Sequence, residues 1–209
     1  MLSNKRLTGL AAMGLLLGSG SRAGAAATTF AVVESKSSVR IHVGKSGAFS
    51  FAGHKHEVEA PVSGTVVADG ANLPGSSVAL TFAGSRMRVL PEGEPKGDAP
   101  KVEEAMRGPK VLDVARFSEI TFKSKKITGR ATTGSGYDLA VVGELSLHGV
   151  TREITVPLKV TVEGRLLTAV GEATLLQDQF GMERVSAAGG TVKVKNEVGI
   201  SFQIVAEQR

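Results

Sequence analysis

Val141 to Val162 reads VVGELSLHGVTREITVPLKVTV, and this stretch decides the fold. On its first half, with Leu139 just upstream, Leu139, Val141, Leu145 and Leu147 share one side of an extended chain. On its second half Ile154, Val156, Leu158, Val160 and Val162 do the same. The repeat is two residues, the period of a strand, and it occurs twice. Between the halves, His148-Gly149-Val150-Thr151 supplies a glycine where the chain must reverse. The two runs are therefore a β-hairpin with one apolar and one polar face.

Working outward, the same alternation recurs. Phe30 to Glu34 and Ser38 to Val43 form an opening strand interrupted by Ser35-Lys36-Ser37, and Gly44-Lys45-Ser46-Gly47 reads as a turn. Phe49 and Phe51, two apart, share a face. Val58, Ala60, Val62 and Val66 alternate with polar residues, and Pro61 among them points to an edge or a bulge because it cannot donate to a ladder. Val78, Leu80 and Phe82 face one way. Pro91 to Pro100 is rich in Pro, Gly and charge and reads as an exposed loop. One helix follows it: Val102, Ala105 and Met106 make its apolar side, Glu103 and Glu104 favour its first turn, and Gly108-Pro109 ends it. Phe117 then leads into Ile120 and Phe122, with Lys123, Lys125 and Lys126 at the strand's end, where lysines protect a sheet edge or solvate a rim. Leu166 to Leu176 alternates again. The last strand sets Val198, Ile200, Phe202 and Ile204 against Gly199, Ser201 and Gln203.

Many short strands, short turns and one helix predict an all-β sandwich or barrel built as one domain. Closing the sheet removes its edges and puts one apolar face inside. An eight-stranded barrel either fills its lumen with side chains or leaves room for one small ligand, and periodicity does not choose between them.

The N-terminus carries a different signal. Lys5 and Arg6 precede the apolar run Leu7 to Leu17, and small residues follow at Ala23 to Ala27, the layout of a cleaved secretory signal peptide. The run is shorter than the roughly 20 apolar residues a spanning helix needs. The expected division is a leader at residues 1–27 and one barrel domain at residues 28–209, exported to the periplasm or secreted, with no stable membrane insertion after cleavage. The chain has 25 basic and 20 acidic residues; the leader takes Lys5, Arg6 and Arg22 and leaves 22 basic against 20 acidic. With that balance, one Tyr and no Trp, no basic stripe with aromatic platforms is present for nucleic acid. The absence of cysteine excludes disulfides, thiolate nucleophiles and cysteine metal sites.

Four pieces in order carry a resemblance: Ser37-Ser38-Val39-Arg40-Ile41, Phe117 to Ser124 (FSEITFKS), Gly143 to Thr151 (GELSLHGVT), and Phe180-Gly181-Met182. Together they resemble the YceI-like family over essentially everything from Phe30 onward. The resemblance implies an exported, lipocalin-like antiparallel barrel of eight strands with a helix at its side. It implies a lumen that holds a long apolar chain, such as a polyisoprenoid, an isoprenoid quinone or a fatty amide, and it implies no catalysis. The sequence departs from the family pattern at Leu112 to Phe117 and at Gln177 to Gly181, where an arginine is replaced by Gln177.

The residues expected to line such a tube are Phe49, Phe51, Val78, Leu80, Phe82, Phe122, Val141, Leu145, Val156, Leu158 and Phe202. The same residues would equally pack a solid core, which would make the chain a structural or interaction protein. His54 and His56 lie on one side of an extended chain and could begin a metal site, but two ligands fall short of one. His148, in the turn, is expected to bond backbone. No enzyme chemistry is expected, since no serine sits in a nucleophile elbow and Gly189-Gly190 lacks the context of a phosphate loop, and no cofactor is expected. Self-association is left open by the sequence.

Overall fold

The computed structural model describes residues 27–46, 56–187 and 192–209. Its strands are β1 (Thr28–Val32), β2 (Ser38–Ser46), β3 (His56–Glu59), β4 (Val62–Ala68), β5 (Ser77–Ala83), β6 (Arg88–Val89), β7 (Glu119–Ala131), β8 (Gly136–Leu147), β9 (Val150–Glu163), β10 (Leu166–Leu176), β11 (Ser186–Ala187) and β12 (Val192–Gln208). One helix, α1 (Ala99–Arg107), stands between β6 and β7 in the chain. The strands pair in the order β1, β4, β5, β7, β8, β9, β10, β12, all antiparallel. β12 then returns to β1 through Phe30↔Gln208 and closes an eight-stranded barrel.

Three staves of the barrel are broken, each for a local reason. β1 and β2 both run along β12, separated by a 3-10 turn at Glu34–Lys36. β3 and β4 are parted at Ala60-Pro61, where the proline has no N–H for the ladder. β5 and β6 are parted by the 3-10 turn Gly84–Arg86. Beyond that break β6 pairs with β3 rather than β7, and α1 packs beside it. Similarly, the β9–β10 ladder stops at Leu158↔Gly171, next to Pro157, which has no N–H to continue it.

The central hairpin forms as its alternation predicts. Leu147 pairs with Val150, so the connection is the two residues His148 and Gly149. Both have positive φ, +52° and +75°, the geometry whose twist suits a two-residue hairpin. A side chain on Gly149 would meet the Phe117 ring at 2.6 Å, so a glycine is demanded both by backbone and by space. Phe117 thus caps the turn, while Ile120 and Phe122 begin the inward row of β7.

Three sequence expectations are corrected. Gly44, Lys45 and Ser46 are not a turn; the long partner β12 keeps them in the ladder through Lys45↔Val194 and Ser46↔Lys193. Lys123, Lys125 and Lys126 are not at a strand's end, because β7 runs on to Ala131; Lys125 is bulged out between Ser124 and Lys126 and reaches Glu144 at 3.2 Å and Glu153 at 3.4 Å. Glu103 and Glu104 lie past the first turn of α1, which starts at Ala99 with Pro100 in the position proline favours.

Candidate functional site

Inward rows from every stave surround a cavity of about 930 Å3 that runs the length of the barrel. At one end its wall includes Thr28, Ala68, Asp69 and Tyr137, beside the buried cluster of Phe30, Val160, Leu167 and Ala206. At the other it includes His56, Glu94, Asp98 and Lys101, with Val102, Ala105 and Met106 of α1 as a side wall. The apolar face expected for α1 therefore lines the lumen. Volumes of this size are at the upper end of small-molecule sites.

Of the eleven residues expected to line a tube, Val78, Leu80, Phe82, Phe122, Val141, Leu145, Val156, Leu158 and Phe202 all face the cavity. Phe49 and Phe51 lie outside the described residues, as does His54. Phe122, Val141, Leu145 and Val156 are buried by their neighbours, whereas Val78, Leu80, Phe82, Leu158 and Phe202 are only half-buried although the barrel has closed around them. Their uncovered area faces the lumen. A filled core would have covered it, because protein interiors are packed nearly without voids.

Solid packing exists beside the cavity. Val62 and Phe180 are 1 % exposed and form no part of its wall. Phe180 ends the 3-10 turn Gln177–Phe180, and the Gly181 that follows has φ +72° and closes the turn. His148 bonds backbone: its Nδ1 lies 3.1 Å from the Phe180 carbonyl oxygen and its Nε2 3.3 Å from that of Pro109.

Polar groups on the wall gather at the two ends. Asp69 Oδ1 accepts the backbone N–H groups of Ala71 and Asn72, at 3.0 and 2.9 Å, and so is spent on its own turn. Gln177, buried, donates from Nε2 to the Lys195 carbonyl at 2.7 Å. His56 Nδ1 and Glu94 Oε1 are hydrogen-bonded, with the Glu94 side chain 2 % exposed and that of His56 15 %. The reading of Pro91 to Pro100 as wholly exposed is thus corrected. Glu94 turns inward because the 3-10 turn Pro91–Gly93 bends the loop back over β3, whose His56 supplies the partner. Sequence reasoning missed it because a charge in a Pro-Gly loop is ordinarily solvated. Among the described residues no group of three metal-ligating side chains exists; His56 is hydrogen-bonded to the Glu94 carboxylate, and His54, its companion in the metal reading, lies outside those residues. No helix among the described residues is long and apolar enough to cross a membrane.

Comparison with known proteins agrees with this architecture. Residues 30–206 match the model of the YceI-like domain. A UPF0312 protein of Yersinia pseudotuberculosis is 32% identical over 95 residues, 45% of this chain and 41% of its own length. One from Vibrio parahaemolyticus is 33% identical over 89 residues, covering 43% and 39%. The chain thus spans about two-fifths of the length of the curated relatives it matches. Among solved structures, BcnA of Burkholderia cenocepacia superposes with a TM-score of 0.63 at 22% identity, covering 83% of this chain and 98% of that one. A polyisoprenoid binding domain from Saccharophagus degradans, implicated in plant cell wall breakdown, does so with 0.60 at 14%, covering 87% and 99%. At those identities the superpositions speak for the fold, and the domain match over most of the chain speaks for descent: the chain belongs to the YceI-like family.

Proposed function

We propose that this chain is an exported, non-catalytic binding protein that holds one long-chain amphiphile, an isoprenoid or an acyl lipid, in its barrel lumen for carriage or sequestration. The observation that carries the reading is the half-buried state of Val78, Leu80, Phe82, Leu158 and Phe202 around a cavity of about 930 Å3. Water in such an apolar tube has few partners, so an apolar chain replaces it favourably. Each buried CH2 contributes roughly 0.8 kcal/mol. Against an association cost of about 4–15 kcal/mol, a chain of some 15 to 20 carbons suffices without many polar contacts. The name of the Saccharophagus degradans neighbour, a polyisoprenoid binding domain, points the same way for the ligand class.

Export follows from the leader at residues 1–27, which would leave residues 28–209 as the mature domain in the periplasm or outside the cell. The reading is of binding without turnover: the sequence has no cysteine and no serine in a nucleophile elbow.

Native mass spectrometry of the chain, expressed with its own leader and followed by organic extraction, tests this. A stoichiometric adduct of isoprenoid or acyl character supports the reading. A bare mass that stays bare after incubation with prenyl alcohols, quinones and fatty amides overturns it in favour of a structural or interaction protein.

A further inference from the structure

The lumen wall is carbon along most of its length, and its few polar side chains stand at the two ends. We propose that the Tyr137 hydroxyl is the contact for the polar end of the ligand, donating a hydrogen bond to a neutral oxygen there and so setting the direction in which the apolar tail lies. The proposal rests on the reading of the lumen as a lipid site.

Elimination among the described residues singles Tyr137 out. At the α1 end, His56 is hydrogen-bonded to Glu94, and Lys101 to Asp98 at 3.1 Å. Gln177 donates to the Lys195 carbonyl, and Lys193 is engaged in an interaction of its own. At the other end, Asp69 Oδ1 accepts two N–H groups of its turn, Ser76 Oγ accepts the Asp69 N–H at 2.9 Å, and Thr28 is likewise engaged. Of the polar side chains on the wall, Tyr137 alone makes no hydrogen bond to another described residue. Its ring is nevertheless held, half-buried against the cluster of Phe30, Val160 and Leu167. The hydroxyl lies against the turn that follows β4, where a side chain on Gly70 would meet it at 3.0 Å. Tyrosine thus anchors an apolar body in the wall and presents a polar tip at the mouth.

A ligand oxygen drawn into this mouth leaves water and needs a donor, and the phenol O–H supplies one. Charge decides which oxygen. Asp69 stands on the same rim, whereas both lysines of the wall are at the α1 end: Lys101 on α1 itself, and Lys193 opposite Ser46 on β2, just beyond Val43, the partner of His56. A phosphate or carboxylate at Tyr137 would therefore meet a like charge with no wall cation beside it. An ether, hydroxyl, amide or quinone oxygen escapes that repulsion. With such an oxygen at Tyr137, the tail passes Leu139 and Phe122 and ends against Val102 and Met106 of α1.

The test uses the whole processed chain, its Tyr137→Phe variant and three ligands with one branched tail: phytyl methyl ether, phytane and phytyl monophosphate, each measured by displacement of bound N-phenylnaphthylamine. Phenylalanine keeps the ring and removes only the hydroxyl, and the melting temperature confirms a folded barrel. The expected result is that Tyr137→Phe weakens the ether about tenfold, the loss of one hydrogen bond to a desolvated oxygen, and leaves phytane, which has no oxygen, within about twofold. The unaltered chain should bind the monophosphate about tenfold or more weakly than the ether. Equal loss of ether and phytane, or no loss of either, overturns the role of the hydroxyl, and tighter binding of the monophosphate overturns the choice of a neutral oxygen; each leaves the lipid lumen standing. Failure of the fluorescent probe and all three ligands to bind overturns both.

Discussion

His148 Nδ1 lies 3.1 Å from the carbonyl oxygen of Phe180, tying the β8–β9 turn to the 3-10 turn that follows β10. The residue has φ +52°, where β-branched side chains clash with their own backbone. His148→Val should therefore cost about 2–3 kcal/mol, the bond to a buried turn plus the strain, whereas His148→Asn, which tolerates that φ, should cost about 1 kcal/mol. Urea titration of the two variants checks the order.

Gly149 makes the neighbouring case. Alanine there suffers the left-handed backbone at φ +75° and pushes its Cβ into the Phe117 ring. The ring also stands edge-on to His148, with centroids 5.5 Å apart, so it cannot swing freely. Gly149→Ala should lose about 2 kcal/mol or more. If the ring is the obstacle, Gly149→Ala in a Phe117→Leu background should lose less, and a double-mutant cycle measures the coupling.

Charge placed on the inner face separates an open tube from a packed core. Phe82→Asp puts a carboxylate into the cavity, where entering water can solvate it; the barrel should fold and lose its lipid. Val62→Asp buries one in packed surroundings, at a residue 1 % exposed, and should lose about 4 kcal/mol or more. Circular dichroism melts together with lipid extraction distinguish the two. Unfolding of both variants would contradict the open lumen.

Glu34 and Arg86 join the 3-10 turn after β1 to the one after β5, with Arg86 Nη1 donating to Glu34 Oε2 at 2.8 Å. The hydrogen bond from Arg86 holds the Glu34 carboxyl below its ordinary value of 4.5. A group depressed in the folded state contributes stability above its unfolded value and loses it as pH falls through the folded one. Wild type should therefore melt above Glu34→Gln at pH 7, the gap closing as pH drops below about 4.5. Both side chains are exposed, so 1 M salt at pH 7 should shrink the gap too.

Glu103 holds α1 against the barrel. Its Oε2 accepts the Val89 N–H at 3.0 Å, and Arg107 reaches both Glu103 Oε1, at 2.6 Å, and the Met87 carbonyl, at 2.9 Å. Glu103→Ala leaves the Val89 N–H and the Arg107 guanidinium without this partner and should cost about 2–3 kcal/mol. Because α1 stands beside β6, where the barrel has let go of β7, the same variant should speed lipid exchange; stopped-flow transfer of a fluorescent lipid measures it.

The strands were legible because their signal is local. Period two in Leu139 to Leu147 and in Ile154 to Val162 states which side faces in, and every one of those apolar residues lines the lumen. The two-residue turn at His148 and Gly149 follows from a glycine between such runs. Errors came where a partner strand decides: Gly44 to Ser46 look like a turn alone and become strand beside β12, and Lys125 looks like an edge guard until its bulge is known.

By itself the sequence determined an all-β fold with one side helix, the inward faces of its central hairpin and, through the four pieces that resemble the family, the barrel. Those are properties of neighbours in the chain and of residue type. Whether the inward rows meet or stand apart depends on strand tilt and stagger around the closed sheet, which no single segment encodes. Only the tertiary structure therefore decided that Phe82, Leu158 and Phe202 stop short of one another and enclose a cavity. It alone brought Glu94 from a charged loop to His56, 38 residues away, because burying a carboxylate needs a partner that folding has to deliver.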